Sequence, residues 1–114
     1  MPKRGEVWLA NLNPRRGTEP GKTRPVLIVQ AQALLEAGHP STLISPLTTN
    51  LIGDAEPLRI RIPAQSSLRR DSDLLVDQLR AIDNRLLAEG PLARLDGPAM
   101  ARVAAALRDV LDLG

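Results

Sequence analysis

Val26-Leu27-Ile28-Val29 is apolar without interruption, and three of its four residues are β-branched. β-Branched side chains favour extended backbone, and an unbroken apolar run lacks the alternation of a strand with one wet face. The run predicts a strand covered on both sides, so the chain must supply packing layers above and below it. GTEPGKTRP, residues 17–25, leads directly into this strand and is punctuated by Gly17, Pro20, Gly21 and Pro25. It carries Glu19, Lys22 and Arg24. Water solvates such charges easily at a turn, but loops between rigid elements also carry functional groups.

The remaining segments predict how those layers arise. Glu6–Leu12 reads as a strand ended by Asn13-Pro14, and Gln32–Ala37 as a short helix before Gly38-His39-Pro40. Thr42–Leu47 reads as a strand in which Pro46 requires an edge or a bulge. Leu58-Arg59-Ile60-Arg61-Ile62 alternates, which turns Leu58, Ile60 and Ile62 inward and the arginines outward. Asp73–Ile82 is a further extended segment, followed by a helical turn at Asn84–Leu87. At the end, Asp96 suits an N-cap and Pro98 a first turn. Met100, Val103, Ala104, Leu107 and Leu111 then recur at helical spacing. The expected fold is mostly β with α: one domain over residues 1–114, of five or six strands with a C-terminal helix lying on the sheet. The length suits a single core.

Composition removes several kinds of chemistry. There is no cysteine and one histidine, His39, so a thiolate or multi-histidine zinc site is not expected. His39 sits in a Gly-His-Pro turn and has no second histidine for acid/base work. No nucleophile elbow, Walker loop or dinucleotide fingerprint is present. Asp71, Asp73, Asp77 and Asp83 lack metal-site spacing and read as solvated or ion-paired surface. No apolar run has the roughly 18 residues of a membrane span, and the start lacks a signal-peptide core, so a cytoplasmic protein without membrane contact is expected. Charge is uneven. Residues 1–30 hold six Lys/Arg against two Glu, whereas the remainder holds nine cations against eleven acids. A basic first quarter is an electrostatic footprint for phosphate as well as a solubilising surface.

Several segments together carry a resemblance that covers nearly the whole chain. Arg4-Gly5-Glu6-Val7-Trp8-Leu9, Asn13-Pro14 and Gly17 through Leu27 resemble the opening of the MazF/PemK/Kid toxins. Pro46-Leu47-Thr48 is similar to that family's strand-ending threonine. Arg70-Asp71-Ser72 and Asp77 through Asp83 are similar to its later signature.

The resemblance implies a small SH3-like (CcdB/PemK-like) barrel with a C-terminal helix, forming a homodimer. It implies the toxin of a type II toxin–antitoxin pair, a ribosome-independent endoribonuclease cutting single-stranded RNA, mostly mRNA, within a short preferred sequence. Cleavage would use the adjacent 2′-hydroxyl, leave 2′,3′-cyclic phosphate and 5′-hydroxyl ends, and need no metal or other cofactor. The implied catalytic set is Arg24, Thr48, Glu19 and Asp77. Arg24 would hold the phosphate and help protonate the departing oxygen, Thr48 would donate a hydrogen bond, and either acid would serve as base. Arg15, Arg16, Thr18, Gly21, Lys22, Thr49, Gln78 and Arg80 would bind RNA. The partner would be a MazE-like antitoxin with a disordered acidic segment. Trp8 is the only aromatic residue and fits the core better than a base-stacking platform. Arginine planes, from Arg15, Arg16, Arg24, Arg69, Arg70 and Arg80, must then stand in for aromatic stacking. A CcdB-like gyrase poison has the same fold, but its function uses a tryptophan-containing tail, and this chain ends Leu111-Asp112-Leu113-Gly114.

Overall fold

Seven strands and two α-helices occur among the described residues, 1–13 and 22–114, of the computed structural model. The strands are β1 (Glu6–Asn13), β2 (Lys22–Ile28), β3 (Ser41–Thr48), β4 (Arg59–Ile62), β5 (Ser72–Leu75), β6 (Arg80–Asp83) and β7 (Leu87–Arg94). The helices are α1 (Gln32–Glu36) and α2 (Gly97–Leu111). One antiparallel sheet runs β4-β5-β3-β2-β1-β7, and β6 also pairs with β3. No helix among the described residues is long and apolar enough to cross a membrane, which says nothing of strands.

The apolar run is covered on both faces, as its composition demands. Val26 and Ile28 enter a cluster with Ala10, Leu35, Ile44 and Ile82. Leu27 and Val29 enter the opposite cluster, with Val7, Leu74, Ala93 and Val103. Each fully buried Val, Leu or Ile side chain contributes about 1.5–3 kcal/mol, so β2 is the natural spine of the sheet. On α2, Asp96 accepts from the Ala99 N–H at 2.9 Å, as an N-cap should. The inward stripe is Met100, Val103, Ala106, Leu107 and Val110. Leu111, expected inward, is exposed instead, because the stripe passes through Ala106 and Val110.

Asp73–Ile82 is not one extended segment. Ser72–Leu75 and Arg80–Asp83 are separate strands joined across a 3₁₀ turn at Val76–Gln78. Along one side of β3, β6 pairs with residues 41–44 and β5 with residues 47 and 48, so Ser45 and Pro46 fall in the gap. Pro46, with no N–H to donate, is tolerated there. The Ser45 hydroxyl is buried in the same gap with no hydrogen-bond partner among the described residues. An unsatisfied buried polar group costs about 1–3 kcal/mol. Ser45→Ala is therefore expected to raise the urea midpoint by an amount equivalent to roughly 1 kcal/mol.

β7 was not expected, because Gly90 and Pro91 lie within it and both residues argue against a strand interior. It is an edge strand, where proline is admissible. Gly90 is required for a steric reason: a Cβ there would lie 2.3 Å from the Trp8 ring. Trp8 is half-buried against the cluster under α1 and donates its indole N–H to Glu6 at 3.1 Å. Glu6 also accepts from the Lys3 N–H and from Arg94, its register partner on β7, both at 2.8 Å. Burial pushes this carboxyl up, but the hydrogen bonds from Arg94, Trp8 and Lys3 together hold it below the usual range.

Asp73 has the same net direction: burial raises its carboxyl, and the Ile52 N–H, Arg61 and Arg59 outweigh it. Both groups thus have lower folded than unfolded values. Their stabilisation is complete above the ordinary carboxylate range near 4 and is lost as pH falls through the lowered folded values. Thermal midpoints should change little from these groups between pH 7 and 5 and fall below about pH 4. Glu6→Gln should flatten that fall.

Candidate active site

The β2–β3 register sets the geometry of the site. Val26 faces Pro46, Leu27 faces Ser45 and Ile28 faces Ile44. Beyond the last of these pairs β2 continues back to Arg24 and β3 on to Thr48. The two line a cleft of about 190 Å³ with Pro25, Leu47, Thr49 and Ser72. Arg24 is exposed and Thr48 half-buried. No ion pair joins Arg24 to a carboxylate among the described residues. The Thr48 Oγ1 accepts the Asn50 N–H at 3.2 Å, and it donates to no described residue. Ser72 donates its hydroxyl to the Arg70 carbonyl at 3.1 Å. The cleft therefore offers an exposed guanidinium and a hydroxyl proton that no described residue takes up, a pair suited to an anionic oxygen.

A second hollow of about 280 Å³ adjoins the cleft, sharing Pro25, Thr49 and Ser72 with it. Leu9, Leu68 and Leu92 give it apolar walls, and exposed Arg69 and Arg70 line it. A further hollow of about 290 Å³ lies between β4 and the start of α2. Its cations are engaged by acids, Arg61 by Asp73 and Arg102 by Glu56.

The other expected site residues are placed differently. Asp77 and Gln78 lie in the 3₁₀ turn and Arg80 opens β6, all exposed and none lining the cleft. Arg80 faces Ile44, four residues from Thr48 on β3, a strand distance of about 13 Å. Arg15, Arg16, Thr18, Glu19 and Gly21 lie outside the described residues. Lys22 begins β2, where its backbone pairs with Asn13. Thr49 lines both the cleft and the adjoining hollow. His39 is in an exposed turn. Among the described residues no three His, Asp or Glu side chains gather as metal ligands.

Sequence reasoning missed one polar centre. Asp73, expected at the surface, is buried and ion-paired to Arg59 and Arg61. The available signal was the alternation of β4, which puts both arginines on one face, beside an acid that begins an apolar run.

A family model for the PemK-like, MazF-like toxins of type II toxin–antitoxin systems matches residues 3–111. The chain belongs to that family. It is 33% identical over 112 residues to the endoribonuclease EndoA of Bacillus subtilis (strain 168), covering 97% of this chain and 95% of that one. Its fold matches a mycobacterial endoribonuclease solved in complex with its cognate antitoxin, at TM-score 0.80 and 20% identity, over 100% of this chain and 98% of that one. It also matches a MazE–MazF structure from Deinococcus radiodurans, at TM-score 0.79 and 24% identity, over 99% and 97%. The sheet with its C-terminal helix is thus the architecture of this toxin family, and the cleft is a feature of a toxin.

Proposed function

We propose that this toxin is an endoribonuclease that cuts single-stranded RNA in the Arg24–Thr48 cleft without a metal. The observation that carries the proposal is the meeting of a guanidinium with an available hydroxyl donor at one cleft. The kinship with EndoA supports the reaction class.

The 2′-hydroxyl next to the scissile phosphate attacks phosphorus. Its proton passes to a carboxylate, the P–O2′ bond forms, and the P–O5′ bond breaks as the departing oxygen takes up a proton. The products are a 2′,3′-cyclic phosphate and a 5′-hydroxyl. Charge builds on the non-bridging oxygens during attack. Arg24 meets that charge with a fixed cation whose fork matches two phosphate oxygens, and Thr48 adds a neutral hydrogen bond. In this reading Arg24 also helps protonate the departing oxygen. Glu19, in the segment that leads to Arg24, or Asp77, which lies in the 3₁₀ turn outside the cleft lining and would act only on RNA that extends to it, serves as the base. The adjoining hollow suits an unstacked base, with Arg69 and Arg70 supplying the planes that a chain with a single aromatic residue lacks.

A homodimer and a MazE-like antitoxin complete the proposal. An acidic disordered segment with apolar anchors complements the basic first quarter of the chain and folds as it binds. The antitoxin segment and an uncleavable RNA should exclude each other. Simultaneous full-affinity binding would place the inhibitor elsewhere.

The residue test is a single-turnover assay on single-stranded RNA. Thr48→Ala should lose about 10- to 100-fold, the worth of one hydrogen bond to a charged group. Glu19→Gln and Asp77→Asn should differ, and the one that slows cleavage while RNA binding persists identifies the base. Wild-type rates in both would remove the carboxylate from the mechanism.

A further inference from the structure

We propose that Asp73 is a positioning residue for this site, holding the loop after β3 so that the Thr48 hydroxyl presents its proton to the cleft. The inference rests on the function proposed for the Arg24–Thr48 cleft.

Asp73 is 1% exposed and faces Thr48 across the β3–β5 pair. Its Oδ1 accepts from Arg61 Nε at 2.6 Å, and its Oδ2 accepts the Ile52 N–H at 2.8 Å and an Arg59 guanidinium N–H at 3.2 Å. The same Arg59 nitrogen donates to the Asn50 carbonyl at 2.9 Å. One carboxylate thereby grips the loop twice, directly at Ile52 and through Arg59 at Asn50. Asn50 in turn donates its N–H to Thr48 Oγ1.

Apolar packing does not hold this loop, since Leu51 and Ile52 are 41% and 51% exposed. Its polar anchors must do so. Filling one acceptor site on Thr48 from Asn50 restricts where the hydroxyl proton can point. The direction left open includes the cleft that Thr48 shares with Arg24. A purely architectural role would be to tie β4 to β5, but these strands already pair through four residues each. Burying a carboxylate is costly unless its partners repay it; here two partners are β4 arginines and the third is the Ile52 N–H of the loop that adjoins Thr48, with Arg59 reaching the same loop at Asn50.

The test is a double-mutant cycle on the full chain, with rates from single-turnover cleavage of a single-stranded RNA. Affinity is measured with the same RNA carrying a 2′-deoxy nucleotide at the cut. Asp73→Asn should slow cleavage about tenfold or more while the Kd changes less than about threefold. On a Thr48→Ala background the same substitution should cost almost nothing further, because the hydroxyl it positions is gone. Should Asp73→Asn fail to fold, judged by Trp8 emission, Arg59→Met takes its place. It keeps Asp73 bonded to Arg61 and Ile52 and removes the Arg59 bonds to Asp73 and to the Asn50 carbonyl. It should show a loss of about fivefold that likewise vanishes with Thr48→Ala. A loss that persists undiminished on the Thr48→Ala background, or a wild-type rate in a folded variant, would overturn the inference. Full rates in both Arg24→Ala and Thr48→Ala would instead overturn the reading of the cleft, and this inference with it.

Discussion

Arg24→Ala should lose about 10²–10⁴-fold in single-turnover RNA cleavage, the range for removing one positioned electrostatic group. The fold should be almost untouched, because the side chain is exposed and no described carboxylate is paired with it. Arg24→Lys should recover little of the rate. An ammonium keeps the charge but lacks the planar fork that meets two phosphate oxygens. Unchanged unfolding midpoints alongside the lost rate would assign the effect to the transition state. A fall in rate matched by a fall in stability would assign it to the fold.

Gly90→Ala should be the most disruptive alanine substitution among the described glycines. The added carbon would lie 2.3–2.8 Å from three atoms of the Trp8 ring, well inside contact distance. The ring cannot yield freely, since its N–H is bonded to buried Glu6 and its face packs on the cluster beneath α1. Overpacking of this kind costs about 1–3 kcal/mol. The chain has one tryptophan and no tyrosine or phenylalanine, so emission at Trp8 reports the contact without background. The variant should show a shifted emission maximum together with a lower denaturant midpoint. Wild-type values of both would mean that β7 does not lie against Trp8.

What the sequence disclosed depended on how local the cause was. β2 was legible because an unbroken β-branched run has few alternatives, and α2 because its cap, proline and periodicity agree. β7 was hidden because Gly90 and Pro91 answer to Trp8 and to an edge position, neither of which is a local property. The division of Asp73–Ile82 is likewise set by β3, which takes two neighbours in turn and leaves a gap at Ser45 and Pro46. Asp73 looked like surface because its burial depends on two arginines delivered by β4. Arg24 and Thr48 are far apart in sequence: the charged loop pointed to Arg24, and the family resemblance gave both residues their roles. Their common cleft follows from the β2–β3 register, which no local pattern encodes.

Metal-free cleavage through the neighbouring 2′-hydroxyl is tested by incubating the full chain with a long single-stranded RNA in excess EDTA and determining the chemistry of both new ends. Cleavage should persist, and every cut should leave a 2′,3′-cyclic phosphate on one fragment and a 5′-hydroxyl on the other. A strict requirement for Mg²⁺, or fragments bearing 5′-phosphates, would rule out this mechanism.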